Sequence, residues 1–371
     1  MNKKLRTCIC FALLTLLIAA SACSDNKVQP STEPIMPIVE PTDAPSTQAP
    51  LTPTPTPVLF YSNTTGLGYE GQPQYHPITV MIENSAEARP QTGLMQADIV
   101  YEMPVEGGIT RFLCLFNDTL PVEVGPVRSA RIYFLHTQKE WDSAMVHYGG
   151  PSDEGFPSYI YGEEMEYIKL RVDGIKGKWD SYFWRSEDRK APHNVYTDLT
   201  KIAELYDYTP EFRNQLRFDA NLDTSAGMDY SMISLSFQTN EKTHTQFKYD
   251  PATNRLLRYV SQKEFMTNTV TLDANGQKQT ITEQVSCQNL IIQHTKVYVI
   301  QGDKSGRRMA EMTGSGECEF FIGGKFFTGT WKRDSLNSAT EYRLSDGSLL
   351  TLLPGNTWIA IQPTNGTVTI E

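Results

Sequence analysis

Between residues 59 and 222, short apolar runs alternate with segments of helical periodicity. The runs cover residues 78–82 (ITVMI), 99–103 (IVYEM), 109–116 (ITRFLCLF) and 144–148 (AMVHY). Apolar runs of this length, bounded by polar or turn residues, are typical of β-strands. We therefore predict four strands in this part of the chain.

Two further segments of the same part have the spacing of helices. The first opens after Gly125-Pro126 and continues through VRSARIYFLHTQKEW, with Arg128 and Arg131 one turn apart. The second begins near Asn194, and its apolar positions follow the i, i+3, i+4, i+7 rule at Leu199, Ile202, Ala203 and Tyr206. The alternation of strands and helices predicts an α/β or α+β domain over residues 59–222.

From residue 223 onward the pattern changes to short alternating or apolar strands. The segments are ISLSF, QFKYD, RLLRY, NLIIQH, KVYVI, ECEFFI, KFFTGTW, TEYRL, SLLTLL and TWIAI. Residues 273–276 (DANG), Asp346-Gly347 and Asn365-Gly366 have hairpin or turn chemistry. This pattern predicts a mainly antiparallel β-domain over residues 223–371.

The N-terminus has the pattern of an export signal. Lys3, Lys4 and Arg6 precede an apolar run, residues 8–20, that is too short for an ordinary membrane span. Small residues come directly before Cys23, as in the bacterial lipobox, where the cysteine is lipidated. We predict a signal peptide over residues 1–22 and lipidation of Cys23; a plain secretory signal with an incidental cysteine is the alternative.

The segment after Cys23 predicts a spacer. Residues 24–58 carry nine of the chain's 22 prolines, and Thr-Pro repeats favour extended polyproline II with a reach on the order of 100 Å. Residues 23–58 are therefore predicted to tether the folded body to the cell membrane through the lipid. The expected location is extracytoplasmic.

Charge excludes one class of partner. The 371 residues have a formal net charge of −10 and no Lys/Arg-dense stretch, so we expect no nucleic-acid partner. Residues 59–222 carry −9 of this charge and residues 223–371 carry −1. With 39% hydrophobic residues the chain can still bury a substantial core.

Three cysteines remain in the predicted folded part. Cys114 lies in an apolar run and is expected to be buried, whereas Cys287 and Cys318 could pair or stay free. The His/Cys spacing of a metal site is absent from the sequence, and the G-x-G-x-x-G match at residues 66–71 follows no strand. We expect neither a metal nor a cofactor.

Polar residues that interrupt the apolar runs define a candidate site in residues 59–222. They are Glu83, Asn84, Glu102, Glu106, Arg111, Arg128, Ser129, Arg131, His147, Arg189, His193 and Asn194. Glu102 and Glu106 flank a turn that could bring their carboxylates together as general acid and base of a glycan-cleaving enzyme. The alternative is a structural ion pair between Glu102 and Arg111 across a hairpin.

The arginines and histidines of this set leave further alternatives open. The predicted helix start after Gly125-Pro126 offers free backbone N–H groups, which together with Arg128 and Arg131 suit an anion; equally, these arginines could pair with carboxylates of the acidic domain. His147 precedes two glycines that permit close approach of a ligand, so it is a third catalytic candidate. His193 could instead cap the helix that follows it.

Several long motifs resemble those of the YerB-like bacterial lipoproteins, a family known as domain of unknown function 3048. They are ITVMIENSAEARPQTGLMQADIVYEMPVEGGITRFLCLF, GPVRSARIYF, VHYGGPS and RKAPHNVYT. GKFFTGTWKRDSLNSATEYRLSDGSLLTLLPGNTWIAI resembles the smaller second domain of that family. The resemblance implies an anchored extracytoplasmic protein with two domains, and it implies no particular activity.

From these observations we expect a tethered binding protein. Its Arg/Glu/His cleft would hold a cell-envelope ligand such as peptidoglycan, or a cell-wall synthesis protein. The contacts would come from the residues of the candidate site other than Glu102, Glu106 and His147. The alternative is a peptidoglycan hydrolase or lytic enzyme that uses Glu102, Glu106 and His147.

Overall fold

Strands greatly outnumber helices in the computed structural model, which describes residues 60–72, 74–162, 167–213, 216–237 and 244–371. These residues all belong to one unit, Thr56–Glu371. The predicted signal peptide, Cys23 and the tether lie outside them. Among the described residues, no helix is long and apolar enough to cross a membrane.

The regular elements are named here in chain order. The strands before residue 200 are β1 (Phe60–Tyr61), β2 (Gly68–Tyr69), β3 (Ile78–Glu83), β4 (Gln91–Thr92), β5 (Ile99–Pro104), β6 (Thr110–Phe116), β7 (Ala144–His147), β8 (Arg171–Asp173), β9 (Phe183–Arg185) and β10 (Val195–Thr197). The later strands are β11 (Met232–Ser236), β12 (Thr245–Asp250), β13 (Arg255–Val260), β14 (Lys263–Glu264), β15 (Met266–Leu272), β16 (Lys278–Gln284), β17 (Ser286–Cys287), β18 (Asn289–Thr295), β19 (Val297–Val299), β20 (Arg308–Ala310), β21 (Gly314–Ile322), β22 (Lys325–Arg333), β23 (Glu341–Leu344), β24 (Thr357–Pro363) and β25 (Thr367–Ile370). The α-helices are α1 (Ile132–Trp141) and α2 (Leu199–Ala203).

A mixed sheet of ten strands forms the centre of the unit. Its order is β23-β22-β21-β18-β24-β5-β6-β3-β7-β8. β24 runs parallel to both β18 and β5, and β7 runs parallel to both β3 and β8. Because β24 pairs with β5, strands from both halves of the sequence share one sheet.

Both faces of the central sheet are covered. β3 sends Ile82 into one core and Met81 into the other. A second sheet, of order β14-β13-β12-β11-β25 with β17 beside β13, contributes Phe247 to the first core, and α1 contributes Phe134 to the second. Burial on both faces explains why the strands of the first half are continuous apolar runs rather than alternating ones.

The four strands predicted before residue 150 are confirmed as β3, β5, β6 and β7, and the later half is mainly β. The residues of the predicted 273–276 turn connect β15 to β16, with Gly276 at a φ of +75°. Of the later segments, SLLTLL forms only isolated bridges rather than a strand. Cys287 and Cys318, for which the sequence left pairing open, are both buried free thiols, and Cys114 is buried as expected.

Both predicted helices form, but both begin later than the sequence suggested. The backbone N–H groups of Val127 and Arg128 donate to Val195 and Met81, so this segment is extended and α1 begins only at Ile132. The prediction of Arg128 and Arg131 one turn apart on a helix was therefore wrong. α2 begins at Leu199 behind its cap Asp198, so His193 does not cap it.

Candidate functional site

Three of the predicted arginines lie in one neighbourhood, at the end of β3 and the start of β6. Arg111 stands opposite Glu83 in the antiparallel β3–β6 pair. Arg128 and Arg131 come from the extended segment that precedes α1. We call Arg111, Arg128 and Arg131 the arginine cluster.

Two carboxylates bind this cluster, and a histidine contacts one of them. Arg128 Nε lies 3.2 Å from Glu83 Oε2, and the other oxygen of Glu83 lies 3.0 Å from His193 Nδ1. Arg131 donates two hydrogen bonds to Glu106, at 2.6 and 2.8 Å. Each carboxylate therefore neutralises one guanidinium.

Arg111 supplies a third positive charge, and no carboxylate of the described residues forms an ion pair with it. Its Nη1 donates to the carbonyl oxygen of Ser129 at 2.8 Å, and its buried Nε makes no hydrogen bond among the described residues. Burial lowers the pKa of Arg111 to about 9, and repulsion from Arg131 and Arg128 contributes. The guanidinium still carries its proton at neutral pH, so the cluster holds one more positive charge than the carboxylates cancel.

Exposure differs across the cluster in a way that suits a ligand arriving from solvent. The Arg128 side chain is 25% exposed and that of Arg131 is 12% exposed, whereas Arg111 is 6% exposed. Within the described part of the chain, Arg128 Nη1 and Nη2 donate no hydrogen bond. A planar pair of unused N–H groups beside excess positive charge can bind a carboxylate or phosphate through two parallel bonds.

The backbone contributes less to this site than the sequence suggested. The N–H groups of Val127, Arg128 and Ala130 donate to Val195, Met81 and Gly149. The prediction of free backbone N–H groups at a helix start was therefore wrong. The Ser129 hydroxyl donates to the carbonyl of Tyr148 at 3.1 Å, so Ser129 holds the segment in place.

Glu102 lies apart from the arginine cluster in a fully buried network. Its Oε1 accepts from Arg258 Nη2 at 2.8 Å and from Thr110 at 2.7 Å, and its Oε2 accepts from the Trp358 indole at 3.1 Å. The structural pairing of Glu102 with Arg111 was therefore wrong, because the partner is Arg258. The carboxylates of Glu102 and Glu106 bind different arginines instead of each other.

Aromatic rings surround Arg258, and their contacts with the guanidinium offset part of the free-energy cost of burying its charge. The guanidinium carbon lies 4.0 Å from the ring centroid of Phe265, 5.1 Å from Trp358 and 5.4 Å from Phe112. Arg258 was missed in the sequence, although strand alternation places it between the buried Leu256 and Val260 in RLLRYV. An arginine on the buried face of an alternating strand is a signal for a buried ionic partner.

Asn84 extends this buried network toward the surface. Its Nδ2 donates to Thr110 at 2.8 Å, and its Oδ1 accepts from Arg89 Nε at 3.1 Å and from Gln91 at 3.2 Å. Because both Nδ2 and Oδ1 of Asn84 are hydrogen-bonded within the protein, Asn84 supports the fold behind the arginine cluster rather than facing a ligand.

His147 is also fully buried, at the end of β7. Its Nδ1 lies 2.9 Å from the carbonyl of Gly149, and its Nε2 accepts from Arg171 Nε at 3.0 Å. Burial lowers the pKa of His147 to about 4, with Asp173 opposing and Arg171 reinforcing the shift. The ring is therefore neutral at physiological pH and holds the β7–β8 edge together.

Arg189 and Asn194 fix a loop beside the cluster. Arg189 donates to the carbonyls of Glu87, Arg89 and Pro90, and the Asn194 amide donates to the carbonyls of Ser186 and Arg189. These bonds place His193 against Glu83. Among the described residues, no group of three or more metal-ligating side chains is arranged to hold an ion.

The fold and site together define a strand-rich protein in which two sequence regions share a central sheet, with an arginine cluster at the end of β3. Residues 64–212 match the family model "Protein of unknown function (DUF3048) N-terminal domain", and residues 233–359 match the corresponding C-terminal domain. The chain belongs to this family, as its motifs predicted.

A curated relative and a solved structure extend the match. The chain is 33% identical over 297 residues to "Putative lipoprotein YerB" of Bacillus subtilis (strain 168), covering 77% of this chain and 81% of the relative. It also matches the crystal structure of YerB protein from Bacillus subtilis with a TM-score of 0.66 at 29% identity, covering 84% of this chain and 99% of the other. The sequence match supports the family assignment, and the structural match supports the fold described above.

Proposed function

We propose that this chain is a membrane-anchored extracytoplasmic protein that binds an anionic group of a cell-envelope ligand, or of a wall-synthesis partner, at the arginine cluster. The anchored part rests on the sequence pattern before and at Cys23 and on the name of the relative, a putative lipoprotein. The binding part rests on one observation: three guanidinium groups face two carboxylates, and Arg128 presents unused N–H groups at the surface.

The geometry favours binding over hydrolysis. Glu102 and His147 have no exposed surface, so a polymer cannot reach them. Both oxygens of Glu106 accept hydrogen bonds from Arg131. Although burial opposes ionisation of Glu106, the bonds and charge of Arg131 lower its pKa below the ordinary value. A carboxylate kept ionised in this way is a poor general acid.

Incubation of the full chain with purified sacculi tests the binding part of this proposal against the hydrolase alternative. We expect the protein to sediment with the sacculi, and we expect no muropeptides in the supernatant. Arg128→Ala should lower the sedimented fraction, whereas Arg343→Ala, which removes an exposed, carboxylate-paired arginine of β23, should not. Released muropeptides would instead support the hydrolase, and equal sedimentation of both variants would exclude the arginine cluster as the binding site.

A further inference from the structure

A groove separate from the arginine cluster lies beside β8, the edge strand of the central sheet. Its volume is about 770 Å³, which is within the range of ligand-binding clefts. The lining side chains with polar or aromatic character include Lys169, Lys178, Trp179, Ser181, Tyr182 and Asp207. Sequence reasoning missed this groove, because its lining residues come from three separate segments of the chain and match no recognised motif.

Two aromatic rings form one wall of this groove. Trp179 and Tyr182 lie 5.9 Å apart between centroids and meet edge to face at 63°. Both are half-buried and pack against the core of the central sheet. Their positions are therefore fixed by packing, and the parts that remain exposed form a rigid surface.

Polar groups on the same wall have unused hydrogen-bonding capacity. Within the described ranges, Trp179 Nε1, the Ser181 hydroxyl and the Tyr182 hydroxyl make no hydrogen bond. Half-buried Trp and Tyr side chains ordinarily satisfy these groups or use them at a binding surface. Three unused groups around a fixed aromatic surface indicate a ligand with both an apolar face and a polar rim.

The charges that line the groove are predominantly positive. Lys178 Nζ lies 5.1 Å from the ring centroid of Trp179 and makes no ion pair among the described residues. Lys169 is held at 2.7 Å by Asp142, outside the groove lining. Lys178 therefore places a positive charge without a carboxylate partner, among the described residues, next to Trp179, where a ligand carboxylate fits better than a neutral group.

We infer that this groove binds an acidic glycan strand. A sugar ring has an apolar C–H face, which would stack on Trp179, and a rim of hydroxyl groups, which would bond the indole N–H, Ser181 and Tyr182. A carboxylate substituent of the sugar would lie toward Lys178. This inference does not depend on the arginine cluster.

Titration of the full chain with a soluble, peptide-free peptidoglycan strand tests the inference, with hexa-N-acetylchitohexaose as the neutral probe. Trp141, Trp331 and Trp358 are fully buried, so a change in tryptophan fluorescence reports on Trp179 or Trp184. We expect a saturable change that Trp179→Phe removes and Trp184→Phe retains. A change that survives in Trp179→Phe would overturn the stacking role of Trp179.

Calorimetry with the same two probes gives the affinities. Loss of a central aromatic contact should weaken binding of the acidic strand about 30-fold in Trp179→Ala, and Trp179→Phe controls for loss of packing. Lys178→Ala should weaken binding of the acidic strand and leave binding of chitohexaose unchanged. Arg343→Ala should bind the strand as the wild type does. No binding by the wild type at millimolar strand, or wild-type affinity in Trp179→Ala, would overturn the inference.

Discussion

Glu102→Ala is expected to destabilise the fold strongly while leaving the arginine cluster intact. Glu102 and its partner Arg258 are both completely buried, and their charged atoms are 2.8 Å apart. The substitution leaves a buried guanidinium without its counter-ion, which costs about 3–5 kcal/mol. Because whole domains are stable by only about 5–15 kcal/mol, the midpoint of unfolding should fall sharply.

Urea unfolding of the full chain, followed by tryptophan fluorescence, measures this loss. Trp358 donates directly to Glu102, so its emission reports on the network. Glu341→Ala is the matched control, because the Glu341–Arg343 pair is exposed and should contribute about 1 kcal/mol or less. A double variant, Glu102→Leu with Arg258→Met, should regain part of the loss, since no charge then stays buried. Equal unfolding midpoints for Glu102→Ala and Glu341→Ala would refute the structural role of Glu102.

Two further predictions concern buried titratable groups. Burial lowers the pKa of His147 to about 4 in the folded protein, whereas a histidine of the unfolded chain has a pKa of about 6.5. The contribution of His147 to the free energy of unfolding is therefore complete above pH 6.5. It should decline by up to about 3 kcal/mol as the pH falls to 4. The urea midpoint of His147→Gln should depend less on pH over this window than that of the wild type. An unchanged pH dependence would contradict the lowered pKa of His147. Cys114, Cys287 and Cys318 are buried free thiols, and burial raises the pKa of Cys287 to about 12. Peptide mass spectrometry should show these three alkylated only after unfolding, and a Cys287–Cys318 disulfide peptide would contradict the structure.

The strands of the first half were predictable because continuous apolar runs such as residues 78–82 carry a strong local signal. The pairing of β24 with β5 was not, since Thr357 and Ile99 are far apart in sequence and nothing local specifies their register. The start of α1 was predicted too early because tertiary hydrogen bonds to Val127 and Arg128 override the local helical pattern.

The candidate site was predictable to a similar degree. Arg111, Arg128 and Arg131 were singled out by their polar character among apolar neighbours, and the structure brings them together with Glu83 and Glu106. The roles of other members depend on partners distant in sequence. Glu102 is bound by Arg258, and the Arg189 guanidinium is used by backbone carbonyls. Residue type alone does not distinguish a charge that faces solvent from one that supports the fold.

Calorimetric titration of the full chain with inorganic pyrophosphate measures anion binding by the arginine cluster itself. We predict saturable binding that weakens as salt rises. Arg128→Ala should reduce the affinity at least about tenfold, the loss expected when one charge-assisted bond of about 1.5–3 kcal/mol is removed. Arg343→Ala should bind as the wild type does. Absence of binding by the wild type at low salt, or the same affinity in Arg128→Ala, would exclude the arginine cluster as an anion-binding site.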